Sequence, residues 1–206
     1  MVERNDNRIT RTSGMNMWRA GCGERRTSGS EGGPEKPTRR KSGRALRSDP
    51  YTEHPTQEGK VYCAVVLDAF SRRVVGWSID ASPTAALVTN ALGMAIDSRD
   101  PRAGTLIHSD QGTQFTSWAF THRAKASGLV PLMGSIGDCY DNAMIESFWS
   151  RMQVELLDRQ PWRTRVELAN AIFEYLEMFH NRRRRHSALG MLKPVEFEAR
   201  QLTVVA

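Results

Sequence analysis

The chain has 206 residues, with 29 Lys/Arg against 23 Asp/Glu and a formal charge of +6. That length supports one sizeable core with an extension, no apolar run nears the roughly 18 residues that span a bilayer, and three scattered cysteines without a CxxC argue against a disulfide framework. Residues 1–50 hold 12 basic and 6 acidic side chains, so the whole excess lies there, which permits nucleic-acid binding without requiring it.

Met1-Val2-Glu3-Arg4-Asn5-Asp6 lacks the apolar stretch of a signal peptide, so a cytoplasmic protein with free thiols is expected. Residues 1–48 carry seven glycines, many Arg, Ser and Thr, and no period of 2 or 3.6. Such a segment cannot bury enough surface to offset its ordering entropy. It reads as a disordered basic segment: a tail, an out-of-frame start, or an arm that touches DNA phosphates.

Order begins at Tyr51. Val61-Tyr62-Cys63-Ala64-Val65-Val66-Leu67 is continuously apolar, as in a strand buried on both faces. Asp68 to Arg73 makes a turn, and Val74 to Ile79 returns as the second strand of a hairpin. Ser82, with Pro83 behind it, is the expected N-cap of a helix whose Leu87, Val88, Ala91, Leu92, Ala95 and Ile96 recur at helical spacing. Pro101 and Gly104 break the chain before a short strand, Thr105 to His108, and Asp110 stands at its carboxyl end. Ser117 caps a helix from Trp118 to about Ser127, Leu129 to Met133 is a strand, and Gly134 to Gly137 a loop.

Asp141 is the expected cap of a helix that carries Glu146 and runs to about Leu157. Thr164-Arg165-Val166-Glu167 fits a capping box, followed by an apolar stripe of Val166, Ala169, Ile172, Phe173, Leu176 and Phe179. Arg182 to Arg185 lies past that helix, and Pro194 opens a last one. The order describes a mixed α/β layer. Acids at a strand end and near a helix start suit a site at the edge of its sheet.

From Thr52 to about Phe197 the chain resembles insertion-sequence transposases of the OrfB kind. The residues that carry this are Thr52-Glu53-His54-Pro55-Thr56, Val65 to Trp77, His108-Ser109-Asp110-Gln111-Gly112-Thr113-Gln114-Phe115, Tyr140 to Phe148, and Asn181 to Leu189, with 35 residues between Asp110 and Glu146. The resemblance implies a ribonuclease-H-like fold: a mixed sheet flanked by helices, with the integrase-like catalytic core over 49–160 and a C-terminal helical extension over 161–206. It implies an Asp-Asp-Glu site in which Asp110 and Glu146 are the second and third acids. They would hold Mg²⁺ or Mn²⁺ for in-line displacement at DNA phosphorus.

The family's first acid precedes a Thr by two places, in a strand reading Trp-x-x-Asp-Ile-Thr. Here that Thr is Thr52, the slot is Pro50, and Asp49 lies one residue early, a slip that turns a strand side chain to the opposite face. The expectation is a truncated or frame-shifted copy. Asp68 is read as a turn-forming acid, with a ligand role as the alternative, and His108 as either supporting the site or packing at the sheet edge. The five histidines show no zinc spacing. Asn142 contacts DNA or supports Glu146. Arg182, Arg183, Arg184 and Arg185 contact DNA phosphates or form a solvated helix end. Partners implied are DNA and further copies of the chain, with no membrane. Two alternatives stand beside the transposase: an inactive remnant that binds DNA or an intact transposase, and a ribonuclease-H-like nuclease.

Overall fold

The computed structural model describes residues 17–20, 52–109, 113–133 and 139–204. The expectations for Asp49, Asp110 and the Gly134 to Gly137 loop fall outside them, as does most of the 1–48 segment. Within that segment four residues do form an element, strand β1 (Met17–Ala20).

β3 (Gly59–Asp68) is the strand around which the sheet is built. It pairs antiparallel with β4 (Val74–Asp80), β2 (Thr52–Thr56) and β1. β1 pairs parallel with β5 (Leu106–Ser109), and β5 parallel with β6 (Val130–Met133). The apolar run of β3 is uninterrupted because both its faces are covered. Ala64 and Val66 pack under α1 (Ala85–Arg99) and α2 (Trp118–Ala126), with Leu87, Leu92, Phe115 and Phe120. Val61, Cys63, Val65 and Leu67 pack on the other face, against Ile145, Phe148, Trp149 and Met152 of α3 (Cys139–Glu155) and Leu168 and Ile172 of α4 (Arg165–Glu174). Burial pushes the Cys63 thiol pKa up and keeps it un-ionised. The result is a three-layer sandwich, helices on both sides of a mixed sheet.

Two local expectations shift. α1 is capped by Thr84 rather than Ser82, because Ser82-Pro83-Thr84 closes its own turn: the Asp80 carboxylate accepts from the Ser82 N–H at 3.1 Å and the Ser82 carbonyl from the Thr84 N–H at 3.0 Å. Asp141 lies inside the first turn of α3 rather than before it, a position where the helix dipole also favours an acid. The Thr164 cap forms as expected, with Thr164 Oγ1 accepting from Glu167 N at 3.0 Å, while Glu167 Oε2 reaches one residue past the cap to accept from Arg163 N at 2.9 Å.

The stripe beyond that cap is not buried as a whole. Val166, Phe173 and Phe179 are exposed, whereas Leu168, Ile172, Tyr175, Leu176 and His180 are buried. Val166 and Phe173 lie off the face that Leu168, Ile172, Tyr175 and Leu176 share at regular helical spacing, and past Glu174 the helix continues as a π-helical turn, Tyr175–His180. Its wider winding rotates the following residues out of the 3.6-residue phase and turns Asn181 inward. α5 (Pro194–Val204) closes the chain. Its Glu198 accepts from Arg73 at 2.8 Å and pairs with Arg99, which ties α5 to the β3–β4 turn and to α1.

Candidate active site

β5 is a short inner strand whose Ile107 packs under α1 and α2. Strand alternation therefore puts His108 toward the α3 layer. Asp110, the next residue but one, follows the end of β5. α3 lies across that layer, seated by Ile145, Phe148, Trp149 and Met152. Glu146 follows Ile145 on the flank of that seated stripe and is half-buried. Asn142 belongs to the first turn of the same helix.

The neighbouring rungs bear on the expected first acid. β2 occupies β3 from Gly59 to Cys63, with Thr52 opposite Cys63. β1 occupies the same edge of β3 further along, with Ala20 opposite Val66 and Trp18 opposite Asp68. Both run antiparallel to β3, so β1 and β2 are two collinear pieces of one strand line. Among the described residues, the rungs opposite Ala64 and Val65 between them are unfilled. On the other side of β1, Arg19 pairs with His108, so Ala20 ends level with Ser109, the last residue of β5. The strand line beside β5 reads Met17-Trp18-Arg19-Ala20 and offers no carboxylate before it leaves the described residues.

Asp68 does not substitute. It faces Trp18 rather than the end of β1, and its carboxylate holds the hairpin turn, accepting from Phe70 N and Ser71 Oγ at 2.9 Å each. The turn-forming role expected from sequence is the one observed. Among the described residues no group of three His, Cys, Asp or Glu side chains could together hold a metal ion.

The basic run divides. Arg182, Arg183 and Arg185 are exposed. Arg184 turns inward and pairs with Glu155, which also accepts from the Tyr175 hydroxyl at 2.8 Å. Burial opposes ionisation of Glu155, but the hydrogen bonds from Arg184 and Tyr175 and the charges of Arg184 and Arg151 outweigh it and hold its pKa below the usual range. Sequence reasoning passed over the two histidines beside this run. His180 is buried and donates from Nε2 to the Arg72 carbonyl at 2.9 Å. His186 packs edge-on against it, with ring centroids 5.1 Å apart. The signal available was the single turn of spacing between the apolar Leu176 and His180, which puts both on one helix face.

Burial, reinforced by His186 and Arg184, lowers His180 to about 4, and burial with Arg184, Arg151 and Arg72 lowers His186 to about 4. The fold thus disfavours charged imidazole. Stability is fully present above the ordinary value of 6.5 and falls as pH drops toward the folded value, by about 1.4 kcal/mol per pH unit for His180. Urea unfolding is expected to show about 2 kcal/mol less stability at about pH 5 than at about pH 7. His180→Gln, whose amide still donates to Arg72, is expected to flatten that dependence. Equal slopes for the two proteins would remove His180 from it.

The chain matches two family models, both described as Integrase core domain, over residues 41–139 and 127–194. It is 38% identical over 144 residues to the transposase for insertion sequence element IS904 of Lactococcus lactis, covering 70% of this chain and 57% of that one. It is 39% identical over 147 residues to transposase InsF for insertion sequence IS3A of Escherichia coli, covering 71% and 51%. The chain therefore spans about half the length of the curated relatives it matches. Among solved structures it is similar to the HTLV-2 integrase catalytic core domain, with a TM-score of 0.51 at 16% identity over 89% of this chain and 95% of that one. That likeness shows the ribonuclease-H-like fold. With the two models joined across residues 41–194 and the insertion-sequence transposases as its relatives, the chain belongs to the integrase core domain family.

Proposed function

We propose that this chain is a transposase catalytic core that cuts and joins DNA strands by in-line displacement at phosphorus. Water is the nucleophile for cutting and a 3′-hydroxyl for joining. The observation that carries the reading is the placement of α3, which brings Glu146 to the sheet face toward which His108, two residues before Asp110, also points. Asp110 and Glu146 would hold a divalent metal, Mg²⁺ or Mn²⁺. The donor set fits, because hard carboxylate oxygens suit Mg²⁺, which takes one or two carboxylates and keeps several waters. Such an ion supplies charge neutralisation at the scissile phosphate and a more acidic bound water. The chain's own contribution is rigidity. Glu146 rides a helix locked by four buried side chains, so that acid does not need to be ordered when the substrate arrives.

The basic side chains at the end of α4 are the surface on which DNA would lie, with Arg182 and Arg183 giving salt-dependent, sequence-blind contacts. Asn142, one turn before Glu146, is proposed to support that acid or touch the DNA beside it. We place the catalytic core at 49–160 and its helical extension at 161–206, with several copies gathered on DNA.

One observation favours a second reading, a remnant that binds DNA without cutting it: the strand line beside β5 presents no carboxylate in Met17–Ala20. A plasmid-nicking and oligonucleotide-joining assay with Mg²⁺ or Mn²⁺ separates the two. The active enzyme nicks duplex DNA, loses this with a chelator and loses it in Asp110→Asn. Duplex binding without any metal-dependent nick identifies the remnant, and faster cleavage of RNA–DNA hybrid than of duplex identifies a ribonuclease-H-like nuclease.

A further inference from the structure

A cavity of about 360 Å³ opens between α3, the β3–β4 turn and the segment after the π turn. It is within the size range of ligand sites, roughly 300–1,000 Å³. Its wall is strongly basic, with Arg72, Arg151, Arg184 and Arg185 all lining it. Glu155 neutralises Arg184. Among the described residues Arg72, Arg151 and Arg185 form no salt bridge. Asp68 acts on Arg72 and Glu155 on Arg151 only at longer range than a salt bridge, and the cavity wall keeps an excess of positive charge. His186 lines the same cavity, and its Nε2 is buried without a hydrogen-bond partner. A buried polar atom without a partner is unfavourable, so the cavity offers a hydrogen-bonding group as well as positive charge. Both demands are met by one ligand class, an oxyanion.

We propose that this cavity seats a phosphodiester of the DNA backbone, with Arg151 and Arg185 holding its oxygens and His186 donating to it from Nε2. The inference rests on the transposase reading and adds to it a second phosphate site, distinct from the metal acids. Met144, Ser147, Phe148 and Arg151 mark the cavity side of α3. At 100° per residue Glu146 lies on nearly the opposite flank of that helix. A helix is about 10–12 Å across with its side chains, so a strand that reaches both Glu146 and this cavity presents a different phosphate to each. The high burial of Arg184 within the wall fixes the cavity's shape, while Arg151 and Arg185 remain exposed for approach.

The test uses the full chain and a short duplex of arbitrary sequence, followed by fluorescence anisotropy across a salt series. The double variant Arg151→Gln with Arg185→Gln is expected to bind the duplex about tenfold more weakly. Its slope of log affinity against log salt should fall by about one, the signature of one lost phosphate. Thermal melting checks that both exposed substitutions leave the fold intact. The His186 imidazole resonance is expected to move when the duplex is titrated into the wild-type chain. If the wild type binds duplex and the double variant keeps its affinity and slope, the cavity assignment falls while the transposase reading stands. If the wild type does not bind duplex at all, the transposase reading falls with it. A His186 shift with inorganic phosphate but not with duplex overturns the DNA source in favour of a free phosphate. A changed sedimentation state in the double variant, with unchanged DNA affinity, assigns the cavity to a carboxylate of another protein copy.

Discussion

Asn181→Ala is expected to destabilise the fold by about 2–4 kcal/mol in urea unfolding. β4 is an outer strand of the sheet, and its free edge needs partners for the backbone groups of Val74, which is buried. Asn181 supplies both. Its Oδ1 accepts from Val74 N and its Nδ2 donates to Val74 O, each at 2.9 Å. The side chain thus imitates one rung of a neighbouring strand. Its own backbone carbonyl accepts from Val195 N at 3.2 Å, so the same residue anchors the start of α5. Alanine removes the side-chain partners and leaves an N–H and a C=O buried with no water to replace them. Asn181→Asp is expected to be no better, because it keeps the acceptor, loses the donor and buries a charge. A loss below about 1 kcal/mol for the alanine variant would mean that water reaches the β4 edge.

Gly76→Ala is expected to cost about 3 kcal/mol, near the upper end for overpacking a core. A Cβ at that position would fall 2.2 Å from the Ala91 carbonyl oxygen and 2.6 Å from the Ala95 nitrogen. Both are backbone atoms of α1, so no rotamer change relieves the overlap. The helix must move off β4, and Leu87, Val88, Ala91 and Leu92, all buried in that interface, move with it. The need here is close approach rather than backbone freedom. Gly93, on the outer side of α1, offers the control. A Cβ there meets only the Arg123 guanidinium, at 3.6 Å, and Gly93→Ala is expected to stabilise the helix by up to about 1 kcal/mol. Similar melting temperatures for the two glycine variants would contradict the packing account.

The Asn181 and His180 predictions and the DNA-binding ones meet at the end of α4. Asn181 and His180 point into the protein and lock the π turn against the β3–β4 hairpin. Arg182 and Arg183 point out, and Arg185 and His186 line the cavity. One seven-residue stretch therefore divides its side chains between holding the sheet edge and presenting charge. Loss of DNA binding in an Asn181 variant would follow from loss of that geometry, and melting measurements distinguish it from loss of contact.

The sequence by itself determined the elements that local physics specifies. The hairpin, α1, the Ser117 cap and the Thr164 cap follow from apolar runs and capping groups that act within four residues of each other. It also placed Asp110 just past a strand end and Glu146 on the helix that covers the same sheet, because motif spacing survives without a structure. Only the tertiary structure decided what depends on long-range partners. The π turn brought Asn181, five residues past Leu176, onto the buried side, a placement that a 3.6-residue count does not give. Arg184 was separated from its neighbours in the run by Glu155, 29 positions away. The strand line of β1 and β2 is assembled from segments 31 residues apart in the sequence, joined only through their common pairing with β3. No local pattern in Met17-Trp18-Arg19-Ala20 announces a strand, since four residues gain their order from the edge of β3 and from β5, not from their own propensity.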